Sequence, residues 1–88
     1  MRIQDTNEAE TLALAALGWA LGEPARAQRL LALTGLSPED LRARIGDRSV
    51  LAAALGFLEA HEPDLVAAAD ELGIPPAELV EARRMLER

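Results

Sequence analysis

An all-α fold, a compact bundle of about six short helices, is predicted for this chain by three observations. Half of its 88 residues are hydrophobic, and the surplus is Ala and Leu rather than β-branched or aromatic residues; both are strong helix formers. Gly and Pro recur at intervals suited to helix ends and helix starts. Between them, apolar residues return with the i, i+3, i+4, i+7 spacing of one helical face. Eighty-eight residues fit one domain, so residues 1–88 are expected to form a single helical unit, with residues 1–5 a flexible leader.

The first helix is expected to begin at Thr6 or Asn7, either of which can cap it, with Glu8 and Glu10 in the first turn and Gly22 as its end. Pro24 suits the first position of a second helix, which reaches Thr34 and stops at Gly35. In that helix Ala27, Leu30, Leu31 and Thr34 form the apolar stripe. "SPED" at 37–40 opens a third helix, with Ser37 as cap and acids in the first turn, ending near Gly46. Asp47 caps a fourth that carries "SVLAAALGFLEAH" to His61. Pro63 starts the fifth, which stops at Gly73, and Pro75-Pro76 launch the sixth. No charge interrupts Leu12–Leu21 or Val50–Leu58, so the first and fourth helices are expected to be central and buried nearly all round.

"AALGW" at 15–19 and "AALGF" at 53–57 place the single Trp and the single Phe in the same phrase, 38 positions apart. The correspondence continues: Glu23-Pro24 answers Glu62-Pro63, and "GLSPEDL" at 35–41 answers "GIPPAEL" at 73–79. It reads as an internal duplication of a three-helix unit, with half-repeats at about 9–46 and 47–88; the alternative is chance likeness between Ala-Leu-rich helices. Duplication predicts a pseudo-twofold axis, related surroundings for Trp19 and Phe57, and a close helix crossing at Gly18 and Gly56, since mid-helix Gly is otherwise unfavourable by roughly 0.5–1 kcal/mol.

The chemistry available is narrow. With no Cys, disulfides, thiolate catalysis and sulfur-ligated metals are excluded. The formal charge is −6 and every basic residue is Arg, so no lysine Schiff base forms and anionic polymers are repelled. The longest uncharged stretch, Thr11–Gly22, has twelve residues, against about 20 for a membrane span. The first ten residues hold three acids and no apolar run, so no signal or transit peptide is expected there.

His61 is the only histidine; Glu59, Glu62 and Asp64 lie near it in sequence, but without a second nitrogen or sulfur ligand it reads as a polar residue at a helix C-terminus. Among hydroxyls, Ser37, Ser49, Thr6, Thr11 and Thr34 offer no nucleophile beside a base and an orienting acid. The six Gly make no phosphate-cradling loop. Accordingly no catalytic, cofactor-binding or metal residue is assigned, and no enzyme activity is expected. The arginines group as Arg26 with Arg29, Arg42 with Arg44 and Arg48, and Arg83 with Arg84 and Arg88. One group could dock an acidic partner or a phosphate; the plainer expectation is intrahelical pairing, such as Asp40 with Arg44 or Glu81 with Arg84. "LVAAADELGIPPAELVEARRML" has the outline of a DNA-reading helix-turn-helix, yet its second helix opens with Pro75, Pro76, Ala77, Glu78 and Glu81, the wrong groups for base edges and phosphates.

The phrase "LALTGLSPEDLRAR" at 31–44, followed by "LGFL" in the fourth helix, resembles a family of short bacterial proteins catalogued as domain-of-unknown-function family 3572, over about residues 9–80. Where that family often has an aromatic residue before the phrase, this chain has Leu30. The resemblance implies an all-helical fold and a bacterial cytoplasmic setting, and it carries no activity, cofactor or catalytic residue. The expected function is therefore a non-enzymatic interaction module or regulatory adaptor that binds another protein or a second copy of itself, with monomer and homodimer both open. The alternative is a helix-turn-helix regulator.

Overall fold

A computed structural model describes residues 5–88. In chain order the helices are α1 (Thr6–Leu21), α2 (Pro24–Thr34), α3 (Pro38–Ala43), α4 (Arg48–Glu59), α5 (Glu62–Leu72) and α6 (Pro76–Leu86), and no strand occurs among the described residues. The cap of α1 is Asp5 rather than Thr6 or Asn7: its Oδ1 accepts the Glu8 N–H at 2.8 Å. A carboxylate at that position is both a better acceptor than a hydroxyl and a favourable charge for the helix dipole. The remainder of the expected flexible leader, residues 1–4, lies outside the described residues.

Gly35 and Gly73 close α2 and α5 in the left-handed region, with φ of 75° and 71°. After α5 the Ile74 N–H reaches back to Ala69 O at 3.0 Å and the Gly73 N–H to Asp70 O at 3.1 Å, the paired closure of a Schellman turn. Ser37 and Asp40 form a reciprocal capping box on α3. That helix ends at Ala43, short of the expected Gly46, and α4 ends at Glu59, short of the expected His61. His61 is extended (φ −136°) and occupies the cap position of α5, so it marks a helix start and not a helix C-terminus.

Three helices make the core: α1, α4 and α6 pack on one another, while α2 and α5 flank them, each against both α1 and α4. Buried Leu12, Leu17, Leu51, Leu55, Leu58, Leu79 and Leu86 fill this centre, with alanines such as Ala13, Ala16, Ala54 and Ala82 where the packing is tightest. No polar or charged residue is buried among the described residues. Leu30 from α2 is 1% exposed.

Two sequence expectations fail here and a third is not confirmed. First, α1 is not buried all round: Ala9, Leu12, Ala13, Ala16, Leu17 and Ala20 face the core, but Leu14 is 48% exposed and Ala15 and Gly18 lie on the surface. Second, the glycines make no close crossing. A methyl group added at Gly18 would meet nothing within 4 Å, and one at Gly56 only the Arg83 Cδ at 4.0 Å. Third, the pseudo-twofold arrangement is not confirmed. The pairs α1–α2 and α4–α5 correspond, as do α1–α5 and α4–α2, but α6 sits in the core whereas its counterpart α3 makes no comparable contact with either central helix. The reason is local: "GLSPEDL" runs into Arg42, Arg44 and Gly46 and stops, while "GIPPAEL" continues into Val80, Ala82, Met85 and Leu86.

Candidate interaction surface

Charged groups in this fold mostly serve one another. Arg26 lies flat on Trp19, its guanidinium carbon 3.7 Å from the ring centroid, and its Nη2 donates to Trp19 O at 2.6 Å. A cation at that carbonyl complements the C-terminal end of the α1 dipole. Gly22 leaves the room required: a Cβ there would stand 3.3 Å from Trp19 O and 3.9 Å from Arg26 Nη2. Arg29, also on α2, stands over the Phe57 ring at 5.6 Å and pairs with Asp64 at 3.0 Å. Both aromatics thus receive an arginine from the same helix; Phe57 is buried and Trp19 partly exposed.

The expected Glu81–Arg84 pair forms at 3.9 Å, and Arg88 joins Glu81 at 3.6 Å. Asp40–Arg44 does not. Asp40 turns to its cap, accepting the Ser37 N–H at 3.3 Å, and Arg44 turns to Asp47 at 3.4 Å and Ser49 Oγ at 3.2 Å. The Ser37 hydrogen bonds hold the Asp40 carboxyl below its ordinary 3.8, and the Ser49 hydroxyl and N–H, aided by Arg44, do the same for Asp47. Arg83 bonds Glu59 and Glu87, which raises its already high value. Among the described residues Arg48 alone has no carboxylate partner; its Nη2 donates to Met85 O, at the end of α6, at 3.1 Å.

The hydroxyls are equally committed. Ser37 Oγ accepts from Asp40 N–H, Ser49 Oγ donates to Asp47 at 2.7 Å, and Thr11 and Thr34 donate to the carbonyls of Asn7 and Leu30. Thr6 is the first residue of α1. His61 is exposed, and two of its sequence neighbours are taken elsewhere, Glu59 by Arg83 and Asp64 by Arg29. No group of three or more His, Asp or Glu suited to a metal occurs among the described residues.

One open surface is apolar. A groove of about 460 Å³ runs between α2 and α4, lined by Leu33, Thr34, Ala53, Gly56, Phe57 and Ala60, with no charged residue. Leu33 at its rim is 70% exposed, the most exposed large apolar side chain described. At Ala53 this groove meets a second, of about 590 Å³, bordered by Asp47, Arg48, Ala52, Leu86, Glu87 and Arg88. A smaller hollow of about 190 Å³ lies beside Leu14, Ile45 and Leu51. Sequence reasoning named none of these surfaces, although Leu33 stands off the Ala27–Leu30–Leu31–Thr34 stripe and so carried the signal for exposure. Within the helix-turn-helix outline, α6 gives Leu79, Ala82 and Leu86 to the core.

None of the helices among the described residues is long and apolar enough to cross a membrane. No curated protein and no solved structure matches the chain. A family model does, the one described as "Protein of unknown function (DUF3572)", over residues 6–88. With nearly its whole length covered by that model, the chain, all-helical in its described residues, belongs to this family of unknown function.

Proposed function

We propose that the chain is a non-enzymatic interaction module, an adaptor of the bacterial cytoplasm that seats an apolar protein surface in the groove between α2 and α4. The observation that carries the reading is Leu33, 70% exposed beside an uncharged groove of about 460 Å³. A large apolar side chain left in water at the edge of a concave apolar surface gains roughly 1.5–3 kcal/mol when it is covered, and such patches mark docking sites. Nucleic acid is a poor candidate for the partner: the net charge is −6 and the described arginines are engaged by carboxylates or carbonyls within the fold.

A photo-cross-linking residue at Leu33, compared in the native cells with one at the exposed Ala67 of α5, tests the reading. A discrete protein adduct specific to position 33 is expected. No adduct there, or the same smear from both positions, sinks it.

A further inference from the structure

The groove identifies its own occupant when the charges at its ends are considered together with its shape. Along the outer face of α4, Ser49, Ala53, Gly56 and Ala60 keep the surface low, and Leu33 projects beside it. A twofold interface requires one patch to carry both a projection and the hollow that receives it, and this patch carries both. The groove between α2 and α4 has no charged lining, and where it meets the second groove Asp47 and Glu87 stand beside Arg48 and Arg88, so acidic and basic groups are balanced there.

The ends of α4 differ in sign. At its start stands Arg48, the one described arginine without a carboxylate partner; the carboxylates nearby, Asp47 and Glu87, are taken by Arg44 and Arg83. Just beyond its other end stands Glu62, exposed and without an ion pair among the described residues. Arg48 opens the twelve-residue α4 and Glu62 stands three residues past its end, at the start of α5, so the middle of the stretch falls between Ala53 and Gly56, where the side chains of the outer face are smallest. Two α4 helices laid antiparallel about that midpoint bring each unpaired Arg48 onto the other copy's unpaired Glu62.

We propose that α4 pairs antiparallel with α4 of a second copy about a twofold axis near Ala53 and Gly56, Leu33 of each copy entering the groove of the other and Arg48 of each meeting Glu62 of the other. The proposal rests on the interaction-module reading and names its partner. Sedimentation equilibrium of the full chain from micromolar to about 1 mM, with circular dichroism to verify folding, is the test. Twice the chain mass is expected at the upper end, and monomer for Leu33→Glu and Ala53→Arg. Arg48→Glu and Glu62→Arg are each expected to weaken association by roughly tenfold, and the double reversal to restore it to within about threefold.

Arg48 also closes the end of α6, so the double reversal is the deciding variant: loss through a structural role would not be rescued by Glu62→Arg. Monomer throughout, a dimer indifferent to Leu33→Glu, or a double reversal as weak as the singles overturns the proposal. The cross-link at Leu33 separates the two failures. An adduct with a different protein, from a chain of monomeric mass, overturns self-pairing and leaves the interaction module standing. No adduct removes both.

Discussion

Arg26 and Trp19 show how one side chain can finish a helix and shield a ring together. Arg26 is largely covered, its side chain 14% exposed, so its removal uncovers indole and frees a helix-end carbonyl. Arg26→Ala is expected to lower stability by about 1–2 kcal/mol. It should also shift the emission of the single tryptophan to the red, read directly by fluorescence; unchanged emission would mean that the stacking does not persist in solution. Asp40 and Asp47 bear on acid stability. Their folded values lie below the ordinary 3.8, so the unfolded chain takes up these protons first as pH falls. Their contribution is therefore complete above the ordinary value and is lost as pH drops from it through the lower folded values. Asp47→Asn keeps a cap acceptor but cannot titrate there. Thermal unfolding between about pH 5 and pH 2 should show a shallower loss for that variant than for the natural chain.

Among the elements, the third and sixth helices separate two readings of the repeat. Leu41 and Leu79 stand at equivalent places in "GLSPEDL" and "GIPPAEL", and a true twofold would make them equally important. In the fold Leu79 is fully buried on a helix packed against α1 and α4, while Leu41 sits on the six-residue α3 at the periphery. Leu79→Ala is expected to cost about 3–4 kcal/mol and Leu41→Ala less than about 2, by chemical denaturation. Equal costs would restore the symmetric arrangement. The helix limits were readable where an amino acid has one strong local reason to be present: Pro24, Ser37, Asp47, Gly35 and Gly73 all act as their chemistry indicates. The misplaced limits, Thr6 or Asn7 for Asp5 and His61 as an end and not a start, lie where neighbouring residues compete for the same role.

For the whole molecule, the decisive point is that an apolar helix is not the same as a buried one. Both α1 and α4 lack charge through their middles, yet α1 leaves Leu14, Ala15 and Gly18 in water, and α2 leaves Leu33. With only five partners and nine alanines among the twenty core residues, the bundle does not supply enough neighbours to cover every apolar face. Surface exposure at position 33 implies tolerance in the fold. Leu33→Glu should change unfolding free energy by no more than about 0.5 kcal/mol, measured by denaturant titration, even though it is expected to abolish association. A large destabilisation would show that Leu33 belongs to the core.

Composition and punctuation by themselves determined that the chain is all-helical and that its described residues form six helices with nearly these limits. Those properties follow from propensity, caps and turn geometry, which act within a few residues. Tertiary structure alone decided that α6 and not α3 completes the core, that Gly18 faces solvent, that Arg44 chooses Asp47, and that Arg48 and Glu62 stand unmatched at opposite ends of an open apolar face. Each of these depends on which helix faces are left over once the others have packed, and that is a property of all six helices together.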